Sequence, residues 1–377
     1  MLAPSAAWAQ AFEPGYGVEL NQGTLVAPSR IVGMGGAFVS IAEGAGAYEI
    51  NPAAAAIRYP HNKDELWDWD FALEGIVSPR DSADFENSRR EASRVDNAAA
   101  GYASLGFVAE HFGMGVAISA SSLQVKTEGQ EPITLTGGTL SLVGGYNLMQ
   151  GQLVLGLGVA LGSTNADRAA QLEFFGIGLV AGGVAQPKGQ PYRFGFTLKT
   201  RTTMSAGEGT SPGVRTADLL VPTSFVVPAQ LTVGMSYSFG SRANNVTKTF
   251  GTREAEKDDA LPKERDFVTV AADVVFTERL ERVAGFQAWA DDVLQPAGQA
   301  VTVGLHIGAE SEIIDNRLKL RAGGYYEPSR FAGSGRFHGT TGFDLRLFEL
   351  IWDWKFAFAG DFAKRYTNLI FSIGFWH

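Results

Sequence analysis

Residues 153–159 read Leu-Val-Leu-Gly-Leu-Gly-Val, and their alternation is the pattern that decides the fold. A period of two places successive side chains on opposite faces of a β-strand. One face here is large and apolar, and the other is mostly glycine. The same division recurs at residues 193–199, 230–239 and 318–325, where the second face holds Gly, Ser, Thr or charged residues. One face of each strand is therefore expected to meet lipid, and the other a crowded interior.

The small residues on the second face favour a barrel over a soluble sandwich, because a face turned to water usually carries long charged side chains. About fourteen alternating segments of about ten residues or more follow one another, long enough for tilted strands to cross a membrane. The sequence therefore predicts an all-β fold, a transmembrane antiparallel β-barrel. The predicted segments are 66–78, 99–110, 112–126, 133–148, 151–163, 171–185, 191–204, 228–240, 265–279, 299–311, 316–327, 338–349, 351–360 and 366–376.

The connections alternate between short and long, as do the periplasmic turns and outer loops of bacterial outer-membrane barrels. Long polar connections follow the first and ninth segments, and a short helix is expected between Glu281 and Leu294 in the latter. The eighth connection, Ser241 to Glu264, is an exception, since a short periplasmic turn is expected there. Either the strand count is off by one, or this is a periplasmic insertion. Within an insertion, the alternatives are a solvated loop and a docking segment carrying Arg253, Glu254, Glu256, Lys257, Asp258 and Asp259.

Composition excludes several other classes of protein. The 31 basic and 40 acidic residues give a net charge of -9, which argues against nucleic-acid binding because phosphates require a basic surface. The chain has no cysteine, so it forms no disulfide scaffold or thiolate site. Its 46 glycines among 377 residues exceed the usual share of roughly 7%. Residues 1–10 include Ala7-Trp8-Ala9 and resemble the end of a signal peptide.

Residues 11–60 do not alternate, and they are predicted to form a separate N-terminal segment. Their glycines invite comparison with a dinucleotide-binding loop, but the spacing is not GxGxxG and no strand–helix unit follows. A tight backbone packed in a narrow space fits better. The motif residues of this segment are Arg30, Gly33, Met34, Gly35, Gly36, Phe38, Asn51 and Pro52.

These residues closely resemble the N-terminal region of the FadL family of outer-membrane transporters and of the related TodX-like and PorV-like barrels. That family shows an Arg, a GMGGAF-like run and an NPA run, which match Arg30, residues 33–38 and residues 51–53. Residues 227–234 and 320–326 are also similar, so the resemblance spans most of the chain. It implies a 14-stranded outer-membrane barrel over residues 61–377, whose lumen is plugged by a hatch formed by residues 11–60.

The resemblance also implies passive uptake of hydrophobic small molecules such as long-chain fatty acids. Ligands of such transporters leave through a gap in the wall near the third strand, where Gly113 and Gly115 would permit a kink. The alternative is a PorV-like adaptor in a secretion or surface-machine complex, with a periplasmic or outer-membrane protein partner. The enlarged eighth connection and the modest length of the chain favour that alternative. The expected surroundings are outer-membrane lipid and lipopolysaccharide. Arg89-Arg90 and Arg94 of the first outer loop are expected to be solvated, with contact to anionic lipopolysaccharide as the alternative.

No catalytic or metal-binding pattern accompanies this resemblance. The five histidines form no HxxxH or HxH pair, and no P-loop is present, so we expect neither an enzyme nor a cofactor. His306 shares its strand face with Thr302 and Gly304 and is expected to be a hydrogen-bonded residue of the lumen. Asp291-Asp292 is expected to be solvated, with divalent-ion binding as the alternative.

Overall fold

A computed structural model describes residues 11–20, 27–57, 67–78, 84–90, 93–127, 131–167, 171–216, 219–240, 245, 267–350 and 352–376. Strands dominate these ranges. The described helices are α1 (Ser29–Gly33), α2 (Phe286–Ala290) and the 3-10 helices Ala45–Ala47, Pro52–Ala56 and Met149–Gly151. The first strands are β1 (Gly17–Glu19), β2 (Trp67–Ser78), β3 (Ser93–Ala109), β4 (Phe112–Thr127), β5 (Ile133–Leu148), β6 (Leu153–Asp167), β7 (Gln171–Ala185), β8 (Tyr192–Lys199), β9 (Thr202–Ala206) and β10 (Arg215–Thr216). The others are β11 (Leu219–Leu220), β12 (Ser224–Val227), β13 (Gln230–Gly240), β14 (Phe267–Thr277), β15 (Val283–Gly285), β16 (Thr302–Ile314), β17 (Leu318–Glu327), β18 (Arg336–Leu350), β19 (Trp352–Ala363) and β20 (Tyr366–Phe375).

The described strands close into a barrel of fourteen antiparallel strands, as the alternation predicted. Each barrel strand pairs with its neighbour along the chain, and β20 pairs with β2 to close the ring. The seventh barrel strand is divided into β8 and β9, and the eighth into β12 and β13. Closure pairs the backbone groups of the wall with one another, which a lipid environment requires. None of the described helices is long and apolar enough to cross a membrane.

The two predicted faces of the strands are separated in the structure. Large apolar side chains such as Leu157, Ile177 and Ile307 lie on the exterior and are more than 60% exposed. The opposite parity lies in the lumen, where two clusters of buried apolar side chains pack one above the other. One cluster surrounds residues 27–57, and the other lies towards the end of the barrel that carries the long connections, which we term the outer end.

The adjacency of β13 and β14 decides between the two interpretations of the eighth connection. These strands pair directly from Gln230–Thr277 to Gly240–Phe267, so the strand count is correct and the connection lies at the inner end of the barrel. Of the segment from Ser241 to Glu264, the structure describes Asn245, and the six charged docking residues lie outside the described residues. The expected helix in the ninth connection is present as α2.

Candidate functional site

Residues 27–57, which we term the hatch, occupy the inner half of the lumen. Arg30 in α1 donates to Glu310 of β16, with Nε–Oε2 and Nη2–Oε1 distances of 2.9 and 2.7 Å, and its Nη2 also pairs with Glu43. Arg193 of β8 reaches Glu43 from the opposite side at 2.7 Å. Burial raises the pKa of Glu43, but the Arg193 and Arg30 guanidiniums outweigh it and hold that pKa at about 2. The hatch is therefore tied to the wall through a paired carboxylate.

The charged contact continues across the strands behind α1. Arg321 on β17 is 3% exposed, and it pairs with both Glu310 and Asp344 at 2.5 Å. Lys355 on β19 donates to Asp344 at 2.9 Å. Each charged residue in this row of contacts has an oppositely charged partner. Buried charges need such partners to offset their lost hydration.

The glycine motif allows the hatch backbone to touch the wall backbone. Gly35 and Gly36 adopt φ values of 62° and 79°, a conformation in which glycine carries no steric penalty. A Cβ on Gly35 would lie 2.6 Å from the backbone nitrogen of Gly324. The carbonyl of Gly35 lies 2.7 Å from Nδ1 of His306, which confirms His306 as a hydrogen-bonded residue of the lumen.

Asp273 of β14 fixes the hatch after the glycine motif. Its Oδ2 accepts hydrogen bonds from the backbone N–H groups of Phe38 and Val39 at 2.8 and 2.9 Å. Phe38 is 1% exposed, and the guanidinium of Arg30 lies 5.1 Å from the centre of its ring. Asp273 was not among the predicted site residues, although a carboxylate on an otherwise small and apolar strand was a visible signal.

Asn51 and Pro52 begin the second part of the hatch. The Asn51 amide donates to the Val39 carbonyl at 2.8 Å, and its Oδ1 accepts from the Ala53 N–H at 3.1 Å, which caps the 3-10 helix. Pro52 occupies the first turn, where its missing N–H is not needed. This helix lies directly on wall glycines: a Cβ on Gly156 would be 2.3 Å from Ala53 N, and one on Gly182 would be 2.2 Å from Asn51 Oδ1.

Gly113 and Gly115 contact the hatch in the same way. A Cβ on Gly113 would lie 1.7 Å from the Ala55 carbonyl oxygen, and one on Gly115 would lie 2.3 Å from the Tyr48 ring. The pairing of β4 with β3 and β5 is continuous across both positions. The structure thus places no kink at these glycines and gives them a packing role, while an opening near the third barrel strand stays a prediction.

A cavity of about 330 Å³ lies in the lumen between the hatch and β4 to β9. The register shows why this space is empty. One row across β4, β5, β6 and β7 is Ser119, Thr139, Gly162 and Gly176, all small residues. On the same face, four residues along each strand towards the outer end, the corresponding row is Leu123, Leu135, Ala166 and Leu172. Small residues leave the cavity open, and the apolar row closes it.

The hatch end of the cavity is polar. Glu49 lies there and accepts hydrogen bonds from the hydroxyls of Ser119 and Ser141, both at 3.2 Å. Lys199 of β8 lines the same cavity, and its charge acts on Glu49. Burial raises the pKa of Glu49 above its usual range, while Lys199 and the two hydroxyls oppose that rise. Neither Glu49 nor Lys199 was among the predicted site residues, because only the tertiary structure brings them together.

The wall beside the cavity is interrupted. The ladder that joins β7 to β8 and β9 is discontinuous between the pairs Val180–Lys199 and Phe175–Ser205, although the Thr200 N–H still donates to the Leu179 carbonyl at 2.9 Å. On the other side of β8 and β9, Pro228 lies between β12 and β13 and has no N–H to contribute to a ladder. The lining of the cavity extends to Leu179, whose side chain is 56% exposed on the exterior. The cavity therefore reaches the wall at this point.

Several charged residues in the described parts of the outer loops form ion pairs. Arg90 pairs with Asp291 at 2.5 Å, and Arg215 pairs with Asp292 at 2.6 Å. Arg89 donates to the Ser334 carbonyl at 2.9 Å. Asp291 is buried, so the expectation of a solvated carboxylate is wrong for this residue, whereas the Asp292 side chain remains 26% exposed. No cluster of metal-ligating side chains occurs in the described part of the chain.

Comparisons with known proteins define the fold. No family model and no curated protein sequence matches this chain. Among solved structures, a Pseudomonas aeruginosa FadL homologue aligns over 97% of this chain and 98% of its own, with 12% identity and a TM-score of 0.58. The monoaromatic hydrocarbon channel CymD aligns over 93% and 98%, with 14% identity and a TM-score of 0.60. The Ralstonia pickettii toluene transporter TbuX aligns over 95% and 100%, with 14% identity and a TM-score of 0.59. The protein therefore has the fold of the FadL-type outer-membrane channels.

Proposed function

We propose that this barrel admits small hydrophobic molecules passively across the outer membrane. The observation that carries the proposal is the cavity of about 330 Å³ between the hatch and β4 to β9. It is enclosed by small residues and by buried apolar side chains such as Leu123, Leu135 and Met204. A concave, largely apolar space with a few convergent polar groups is the usual form of a small-molecule site.

The size of the cavity favours compact ligands over the long-chain fatty acids that the family resemblance implied. Ligand sites range over roughly 300–1,000 Å³, and this one lies at the lower end. CymD is described as a monoaromatic hydrocarbon channel and TbuX as a toluene transporter. We therefore extend monoaromatic-sized ligands to this chain as part of the proposal.

The adaptor function remains an alternative prediction. It rests on the connection from Ser241 to Glu264, of which the structure describes Asn245. Asn245 Oδ1 accepts from Arg193 Nε at 2.8 Å, so the start of the connection is tied to the barrel mouth. This contact does not favour a protein partner over a solvated loop.

Filling the cavity tests the proposal. Ser121 faces the cavity, whereas its neighbour Ser122 lies on the exterior face and is exposed. In Ser121→Trp the indole would occupy the cavity, and we expect uptake of radiolabelled toluene by cells lacking other channels of this fold to fall at least about tenfold. Ser122→Trp places the same side chain in lipid, where an aromatic is tolerated, and should leave uptake unchanged.

Heat-modifiable migration in gels would establish that both variants are folded barrels. A folded Ser121→Trp variant that takes up toluene at the wild-type rate would refute the role of the cavity. Equal losses in both variants would refute it as well, because the exterior substitution does not enter the cavity.

A further inference from the structure

The cavity has two chemically different ends. Leu123, Leu135 and Met204 line its outer end, and each is at most 5% exposed. The hatch end holds the Glu49 carboxylate, the Lys199 amine and the hydroxyls of Ser119 and Ser141. A ligand that spans the cavity therefore meets apolar surface at one end and a hydrogen-bonding cluster at the other.

The hatch end is unsuited to a pure hydrocarbon. Seating a hydrocarbon there displaces water from a carboxylate and an amine without replacing its hydrogen bonds, and this desolvation opposes binding. The outer end, by contrast, offers contacts that a hydrocarbon ring can use in full. The two ends together favour a ligand with one polar group.

The charges at the hatch end select among polar groups. A carboxylate ligand would be attracted by Lys199 but repelled by Glu49, and an ammonium ligand would meet the reverse. A neutral hydroxyl satisfies both residues, because it donates to the carboxylate and accepts from the amine or from a serine hydroxyl. Hydrogen bonds to charged partners are the stronger ones, so this arrangement provides discrimination.

We propose that the cavity prefers neutral, hydroxyl-bearing aromatic molecules of the phenol class over the matching hydrocarbons and carboxylates. The hydroxyl lies at Glu49 and Lys199, and the ring lies against Leu123, Leu135 and Met204. This inference rests on the proposed function and specifies the ligand class of the same cavity. Glu49 is then a specificity-determining residue that the hatch, rather than the wall, contributes.

Three ligands that differ in one substituent test the preference. p-Cresol is toluene with a hydroxyl, and p-toluate carries a carboxylate in its place. Calorimetric titration of the protein in lipid nanodiscs, with empty nanodiscs subtracted for partitioning, should give p-cresol a Kd at least about tenfold lower than toluene. p-Toluate at pH 8 should bind more weakly than p-cresol.

Variants assign the preference to Glu49. In Glu49→Leu the p-cresol to toluene ratio should fall to about one, because the acceptor is lost, while Glu49→Gln retains an acceptor and should keep part of the ratio. Ser163→Ala removes a hydroxyl on the exterior face of β6, beside Gly138, that makes no described contact with Glu49, and the ratio should remain at its wild-type value. Gel migration before and after heating would establish that each variant is folded.

Equal or tighter binding of toluene by the wild type would overturn the inference. So would an unchanged preference in folded Glu49→Leu. Failure of the proposed function gives a different result: neither p-cresol nor toluene then binds above the empty-nanodisc background. Toluene binding and uptake without a preference for p-cresol would overturn the ligand class alone.

Discussion

The two halves of the lumen wall fill the interior with side chains of opposite size. The half formed by β4 to β9, which we term the cavity half, uses small residues, so it either touches the hatch backbone or leaves space. The half formed by β14 and β16 to β20, which we term the charged half, fills its volume with long paired side chains such as Arg321 and Asp344. Alternation alone does not distinguish these halves, because each presents a non-lipid face to the interior.

The charged half extends towards the outer end as a network of aromatic and ionisable groups. His338 lies 2.8 Å from Asp361 through Nδ1 and 2.8 Å from Glu327 through Nε2. Tyr325 donates its hydroxyl to Asp361 at 2.7 Å and stacks on His338. The two halves therefore differ in packing: the charged half contacts the hatch mainly through ion pairs, and the cavity half contacts hatch backbone through glycines and also holds the cavity.

Removing the Arg321 guanidinium from the charged half should cause the largest loss of stability. Arg321→Met would leave Glu310 with Arg30 alone and Asp344 with Lys355 alone, and removing one partner of a buried ion pair costs about 3–5 kcal/mol. We expect the free energy of unfolding, measured by guanidinium titration in lipid vesicles, to fall by about that amount.

Arg201→Met is the matched control for that measurement. Arg201 forms a bidentate pair with Glu278, but its side chain is 48% exposed, so its loss should cost no more than about 1 kcal/mol. Equal losses in the two variants would mean that burial of the Arg321 cluster has no special weight.

Adding one methyl group at Gly156, in the cavity half, should reduce the stability nearly as much. In Gly156→Ala the new Cβ would meet Ala53 N and the Pro52 carbonyl carbon at 2.3 Å, and backbone cannot move aside as a flexible side chain can. Overpacking of this kind typically costs 1–3 kcal/mol, and we expect about 3 kcal/mol here. Conductance in planar bilayers should rise if the hatch is displaced.

Gly75→Ala supplies the control, because no atom lies within 4 Å of a Cβ built there. It should leave both the conductance and the free energy of unfolding near their wild-type values. A Gly156→Ala protein as stable and as closed as Gly75→Ala would show that the hatch adapts to the wall.

The smallest expected effect is on the pH dependence of stability, and it distinguishes two carboxylates of the hatch, Glu43 and Glu49. The pKa of Glu43 is about 2, below its usual 4.5, so the stability it supplies is present above pH 4.5 and is lost as the pH falls towards 2. That loss amounts to about 3 kcal/mol at most. Glu49 has a raised pKa, so its contribution is present below pH 4.5 and is lost as the pH rises.

Unfolding of the two glutamine variants between pH 2 and 8 checks the opposite signs. Glu43→Gln should flatten the acid limb of the stability curve, and Glu49→Gln should flatten the alkaline side. If the two substitutions changed the same limb, the assignment of the two carboxylates to different electrostatic surroundings would be wrong.

Much of the fold follows from local pattern, whereas the site does not. Residues 153–159 show both faces of a strand in seven positions, because lipid and lumen impose a period of two on each residue pair. The break between β8 and β9 was not expected, since Thr200 and Arg201 carry no local signal for it. Glu49 and Lys199 are 150 positions apart, and no spacing rule connects them.

The sequence by itself determined the barrel and its fourteen strands through alternation, whereas the hatch was expected from the resemblance of residues 30–53 to the FadL family. Only the tertiary structure decided which wall glycines receive the hatch and which leave a cavity. Gly113 and Gly156 contact hatch backbone, whereas Gly137 lines the cavity, and the nearest atoms to a Cβ built on it lie at 3.7 Å and belong to the wall. The physical reason is that a glycine specifies a missing side chain, and what fills that volume depends on residues distant in the chain.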